Sequence, residues 1–311
     1  MSETVQSIII DADPGQDDAV ALLLAFAARD RLDIRAISTV AGNVPVALTT
    51  VNALRIRDLA GRGDVPVIAG MAAPIVLALE TAEFLCGPDG LAGADLPEPQ
   101  SSAEPGHAVA AIIRLLRAAE PGSVTLAALS PLTNVAMALR LAPEIADAIS
   151  QIVVMGGALG LGNMTPAAEF NFFVDPHAAQ IVLGAGIRTT LFGLHATHQA
   201  LASPDHLNRL RGLGNRAGSI THAMLTRPRP GGLGTTAHPM HDPCVIGWLL
   251  WPELFEGRDC HIEITTEGNL RGRSTIDWHG RQKNPPSAFV VNAIDADLLF
   301  DRVIDALAAL P

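Results

Sequence analysis

The sequence predicts an α/β fold: an open, mainly parallel sheet flanked by helices, with additional short edge strands. Two observations support this. Short apolar runs alternate with helix-period segments along most of the chain, the rhythm of strand, crossover helix and strand. Polar residues recur just past the ends of those runs, where open α/β sheets assemble ligand sites. Hydrophobic residues make up 49% of the 311, ample for a sizeable core, and no break in composition divides them, so one domain over 1–311 is expected.

Taken in order, the first strand is expected at 7–11, where an apolar run ends in Asp, and a Pro14-Gly15 turn leads into a helical run at 19–28. A strand at 33–40 runs into Gly42-Asn43 and then a helix at 46–60. A strand at 65–69 precedes a helix at 107–119, and a strand at 124–129 precedes Ser130-Pro131-Leu132-Thr133-Asn134. The strand at 151–155 opens into the glycine-rich MGGALGLGNMTPAAEFN. There, Glu169 and Asn171 stand two apart in what reads as extended chain, so they share a face while Phe170 points oppositely into the fold. A helix at 175–185, a strand at 188–193 and helices at 242–250 and 296–310 complete the alternation. Shorter alternating segments across 259–291 suggest antiparallel strands at one edge.

Chemistry concentrates in IIIDADPGQDD, residues 8–18, where Asp11, Asp13, Asp17 and Asp18 follow a buried-looking strand and are folded together by the turn. Like charges this close cannot all stay ionised in a partly buried place unless a cation or captured protons offset the repulsion. Oxygen-only donors favour a hard ion, Ca²⁺ or Mg²⁺. The plainer reading makes Asp13 a helix cap, with Asp17 and Asp18 in the positive first turn, but capping needs a single acid. Asn163, Glu169 and Asn171 read either as grips for adjacent hydroxyls or as loop residues satisfying their own backbone. Asp242 before Pro243 is a helix-start signal, and His241 just before it sits on a loop able to overhang a pocket and titrate near neutrality. His195 and His198 admit a ligand role, although loop or core placement is the commoner fate of such histidines.

The formal charge of −11, with no clustered basic footprint, speaks against nucleic acid and against phosphorylated ligands, and favours a neutral polyol. Arg227 and Arg229 fall in the Pro/Gly-rich RPRPGGLG, which reads as a loop. The amino terminus lacks a basic region followed by a long apolar stretch, and the run at 19–28 is too short to span a membrane. Three widely spaced cysteines, Cys86, Cys244 and Cys260, fit neither a disulfide framework nor a zinc knuckle. The expectation is a cytoplasmic protein that does not engage membranes.

These segments resemble the nucleoside hydrolases, inosine-uridine preferring type, over nearly the whole chain. DADPGQDD is similar to the family's amino-terminal calcium motif, and VAGN, LTNVAMALR, VVMGG, AEFNFFVDP, THQAL and HDPC follow in the family's order and approximate spacing. The resemblance implies a nucleoside hydrolase-like fold and one Ca²⁺, held by Asp13, Asp18, Asp242 and the main-chain carbonyl of Leu129. It implies hydrolysis of a ribonucleoside to ribose and free base, with Asp13 taking a proton from the calcium-bound water. It assigns ribose binding to Asp17, Asn43, Asn163, Glu169 and Asn171, places Met155 under the sugar, and gives His241 the protonation of the leaving base. Asp11 would orient its neighbours from behind. Relatives are commonly homodimers or homotetramers, and the same state is expected here.

Two positions depart from the family pattern. Phe84 and Cys86, in TAEFLCGPDGLAG, stand where many members carry His-x-His, so the base preference stays open, and stacking would have to come from Phe84, His238, His241, Trp248 or Trp251. His195 stands where an Asp is common, with consequences for the metal shell or for the loop beside it. Three other readings compete. A phosphatase of the haloacid dehalogenase type is disfavoured by Pro14 after Asp13 and by a single, distant lysine, Lys283. A non-catalytic calcium-dependent ribose or nucleoside binder, and a ribosyl hydrolase acting on an atypical nucleoside, both remain compatible with the residues.

Overall fold

The computed structural model describes residues 5–92, 94–227 and 239–311. Gly93, most of the 227–238 loop and with it Arg229 and His238 lie outside the described residues. The strands are β1 (Gln6–Ala12), β2 (Leu32–Thr39), β3 (Val67–Ala69), β4 (Val124–Ala128), β5 (Ile149–Met155), β6 (Thr189–Phe192), β7 (Phe255–Cys260), β8 (Ile262–Ile264), β9 (Ser274–Ile276) and β10 (Ala288–Ile294). The helices are α1 (Gln16–Ala27), α2 (Val46–Leu59), α3 (Glu83–Cys86), α4 (Ala108–Arg117), α5 (Thr133–Leu141), α6 (Phe170–Val174), α7 (Pro176–Leu183), α8 (Leu194–Thr197), α9 (Pro204–Gly212), α10 (Arg216–Leu225), α11 (Pro243–Leu250) and α12 (Ala296–Ala308).

Eight strands form one sheet in the order β3-β2-β1-β4-β5-β6-β10-β7, parallel throughout except for β7, which runs antiparallel to β10 at the edge. The chain winds outward from β1 to β3, then returns to β4 and winds the other way. The connections therefore diverge between β1 and β4, and a crevice opens at the carboxyl ends of those two strands. Both faces of the sheet are covered, which is why central strands such as Ile8-Ile9-Ile10 are apolar without alternation and fully buried. One layer packs α1, α11 and α12 against the sheet, and the other packs α4, α5 and α7. Helix α1 is buried from Ala19 to Phe26 because α10, α11 and α12 pack around it, so its apolar residues occupy every side.

Three local expectations are corrected. Residues 170–174 are helical, not extended, because Glu169 caps α6 by accepting the N–H groups of Asn171 and Phe172. Phe170 consequently turns toward the same cavity as Glu169 and Asn171. In the last third only β7 extends the edge in antiparallel fashion; β8 and β9 pair with each other as a separate sheet, and β10 inserts parallel to β6. Helices α5, α9 and α10 were not anticipated. Among the described residues no helix is long and apolar enough to cross a membrane.

Candidate active site

The site lies in the crevice between β1 and β4. A cavity of about 70 Å³ there is lined by Asp13, Asp17, Asn43, Leu129, Met155, Asn163, Glu169, Asn171, His241 and Asp242. These residues come from the ends of β1, β2, β4 and β5, from α6 and from the start of α11, so residues far apart in sequence meet at one sheet edge. Asp18 lies beside the lining, fully buried. A larger groove of about 900 Å³ sits at the other end of the sheet, where β6 and β10 begin at Thr189 and Ala288, away from the carboxylates.

The turn after β1 is organised by Asp18 and not by Asp13. Asp18 accepts the backbone N–H groups of Asp13 at 3.2 Å and Gly15 at 3.0 Å, the reach of a third-residue acid back to the start of its helix. Asp13 is thereby left to face the cavity, where its Oδ2 accepts Asn43 N–H at 2.6 Å. Asn43 also donates its side-chain amide to the Asp13 carbonyl at 3.1 Å and to Asp18 Oδ2 at 3.2 Å. The approach of β2's end to Asp13 is so close that Gly42 is required. A Cβ there would lie 2.0 Å from Asp13 Oδ2. Asp242 stands at the start of α11 with its backbone already helical, and its carboxylate makes no capping bond. Helix starting therefore does not account for its acid group.

Asp17, Asp18 and Asp242 each offer a carboxylate oxygen, and these oxygens lie within 4.8 Å of one another. Asp13, Asp18 and Asp242 are at most 3% exposed. Burial, reinforced by the charge of neighbouring carboxylates, raises all three pKa values, Asp18 to about 7. Among the described residues, no Arg or Lys figures among the main groups acting on them. A buried set of clustered oxygen donors fits a divalent hard cation well, since such an ion would relieve both the burial penalty and the mutual repulsion.

Leu129 is placed by its own N–H, which bonds the Asp11 carbonyl at 2.8 Å. Its carbonyl accepts Asn171 Nδ2 at 2.9 Å, and the same amide reaches the Met155 carbonyl at 3.1 Å. The Asp11 carboxylate faces away from the cavity, toward Ser38, Ser130 and Asn134, which bind it and partly offset a burial that pushes its pKa up to about 6. It ties the end of β2, the turn after β4 and the start of α5 to the end of β1. Glu169 accepts three backbone N–H groups, from Gly157, Asn171 and Phe172, while burial raises its pKa to about 7. Asn163, more exposed, accepts Phe170 N–H at 2.9 Å. Both therefore shape the glycine-rich loop as well as lining the cavity.

His241 is buried, with Nδ1 2.7 Å from Thr197 Oγ1. Cys86 lines the cavity with Ala82 and Leu85, whereas Phe84 is 55% exposed and lies outside the lining. Trp248 packs on Phe192, Phe255 and Phe289, and Trp251 meets Arg302, so neither borders the cavity. His195 accepts Leu159 N–H at 3.1 Å and thus braces the loop after β5, not the carboxylates. Sequence reasoning missed four lining residues, Gln16, Ala82, Leu85 and Phe170. Gln16 was legible as the one neutral amide inside the acidic segment, and its side chain ties α1 to α10 through the Met224 carbonyl at 2.9 Å.

The family model described as inosine-uridine preferring nucleoside hydrolase matches residues 8–301. A pyrimidine-specific ribonucleoside hydrolase RihA of Citrobacter koseri is 40% identical over 97% of this chain and 97% of its own. Among solved structures, the plant nucleoside hydrolase PpNRh1 superposes with a TM-score of 0.90 at 29% identity, over 98% of this chain and 99% of that one. A purine-preferring ribonucleoside hydrolase from Gardnerella vaginalis gives 0.89 at 28% identity, over 97% and 98%.

Proposed function

Because the chain belongs to the inosine-uridine preferring nucleoside hydrolases, and so is a hydrolase of N-glycosyl compounds, we propose calcium-dependent hydrolysis of ribonucleosides at this carboxylate cluster. The observation that bears most weight is the convergence of the buried acids Asp13, Asp18 and Asp242 at the β1/β4 crevice, with no basic group among the described residues acting on them. Asp13, Asp18, Asp242 and the Leu129 carbonyl would hold the ion. Bound there, Ca²⁺ would offset the clustered charge, accept two sugar hydroxyls and make a water more acidic.

Asp13 would take a proton from water as the water oxygen adds to C1′ of the ribosyl group. The C1′–N bond breaks as that bond forms, and its electron pair leaves with the base. Asp17, Asn43, Asn163, Glu169 and Asn171 would hold the ring hydroxyls, with Met155 beneath the sugar. Hydrogen bonds that tighten as C1′ gains positive character supply, by analogy with other glycoside hydrolysis, several kcal/mol. His241 would meet the departing base as a hydrogen donor.

Pyrimidine ribonucleosides are the proposed substrate class, supported by the identity to RihA across nearly the full chain. The chain would act as one domain, assembled as a homodimer or homotetramer in the cytoplasm. The test is release of reducing sugar from uridine, cytidine, inosine and adenosine in the presence of Ca²⁺. Release fastest on the pyrimidine nucleosides, and reduced at least about 10³-fold in Asp13→Ala, is expected. Tight ribose binding with no release from any nucleoside would instead identify a binder.

A further inference from the structure

His241 precedes α11, and a side chain from a different element, α8, meets its ring. Its Nδ1 lies 2.7 Å from the hydroxyl of Thr197, which closes α8 after β6 and is fully buried. Among the described residues Nδ1 is the one hydrogen-bond partner of that hydroxyl. A buried O–H left pointing at no acceptor forfeits the bond it would make in water. The Thr197 proton therefore points at Nδ1, and Nδ1 is the accepting nitrogen. In a neutral imidazole one nitrogen accepts and the other carries the hydrogen, which places the ring hydrogen on Nε2.

We propose that Thr197 is a positioning residue that holds His241 as its Nε2–H tautomer, so that the neutral ring presents a donor toward the leaving base. The inference rests on the reading of His241 as the residue that meets that base. Thr197 does not line the cavity, so its influence passes through the imidazole. The neighbouring His198 ring, with centroids 5.5 Å apart and planes at 58°, confines the same imidazole from the side. No proton needs to leave His241 in the step itself. The hydrogen bond from Nε2–H stabilises the electron pair arriving on the base nitrogen, and water can complete protonation after departure. Without the hydroxyl, both neutral tautomers become accessible, and one of them turns an acceptor toward the electron-rich leaving group.

The experiment compares kcat/KM for uridine and for 4-nitrophenyl riboside, whose leaving group needs no donor, in the full-length, calcium-loaded protein. Thr197→Val should lower the uridine value at least about tenfold while the nitrophenyl value stays within about twofold. Thr197→Ser, which keeps the hydroxyl, should restore most of the loss. Adding Thr197→Val to His241→Ala should cost nothing further, as expected for two residues acting through one group. In ¹³C spectra of labelled protein, the His241 Cδ2 resonance should move toward the other tautomer in Thr197→Val and return in Thr197→Ser. Equal losses on both substrates, or a Thr197→Val loss that persists without His241, would overturn the proposal. If His241→Ala slows uridine but Thr197→Val does not, the Thr197 assignment alone falls. If His241→Ala leaves uridine untouched, the role of His241 falls first and this inference with it.

Discussion

Asp242 begins a helix yet caps nothing, and its carboxylate turns instead toward Asp18, with which it shares a hydrogen bond. Two buried acid groups in such contact need a shared proton or a cation. Replacing one charge should therefore help the metal-free fold while harming metal binding. Asp242→Asn is expected to raise the metal-free melting temperature at pH 8 by about 1–2 °C, the scale of about 1 kcal/mol in a chain of this size. Calorimetric titration of the same variant should show weakened Ca²⁺ binding. A lower melting temperature with unchanged affinity would place Asp242 outside the ion's shell. The pH dependence follows from the same residues. Asp13, Asp18 and Asp242 have pKa values raised in the fold, so between about pH 4, where unfolded carboxyls ionise, and about 7 the native state binds more protons than the unfolded chain. Stability of the metal-free protein should fall as pH rises through that window. Ca²⁺ competes with those protons, so the thermal shift it produces should be larger at pH 8 than at pH 5. A shift of equal size at both values would mean that the ion binds elsewhere.

At the scale of elements, the site depends on loops packed so tightly that single atoms matter. Gly42→Ala would drive a methyl group into Asp13 Oδ2, and either the loop after β2 or the carboxylate must move. The expected cost is about 1–3 kcal/mol, with a loss of kcat much larger than that stability change alone would give. Denaturant unfolding beside steady-state kinetics separates the two effects, and normal turnover would show that Asp13 tolerates displacement. Glu169→Gln tests the glycine-rich loop, because an amide turns its NH₂ toward backbone donors that a carboxylate accepts from on both oxygens. A loss of about 1–3 kcal/mol is expected. Strands β1 to β6 were legible because period and length of apolar runs fix them, whereas the gathering of Asp13, Asp17, Asn43, Glu169, Asn171 and Asp242 at their ends was implied by the resemblance. The helical turn at α6 was not legible. Its cause is a side chain bonding backbone two and three residues on, and the same letters can equally describe an extended segment. Helices α9 and α10 escaped for a related reason: their starts rest on Ser203 and Asn215 caps, with few apolar residues to mark a period.

At the scale of the whole molecule, the winding order of the sheet explains why residues from both halves of the chain serve one crevice. That convergence predicts sugar selectivity. A site built to grip adjacent ring hydroxyls leaves buried polar groups unpaired when one hydroxyl is missing, so 2′-deoxynucleosides should be at least about 10²-fold poorer substrates by kcat/KM. Equal rates on uridine and 2′-deoxyuridine would contradict the assigned grip. Base preference was not legible in the sequence, because the wall formed by Ala82, Leu85, Cys86 and Phe170 has no charged or amide group whose bonding pattern names a base. The central claim is that the buried acids at the β1/β4 crevice hold one divalent ion on which turnover depends. Its most direct test is ribose release from uridine by chelator-stripped protein as Ca²⁺ is added back in measured equivalents. The account predicts negligible release at zero and a plateau at one Ca²⁺ per chain; full activity in the stripped protein would contradict it.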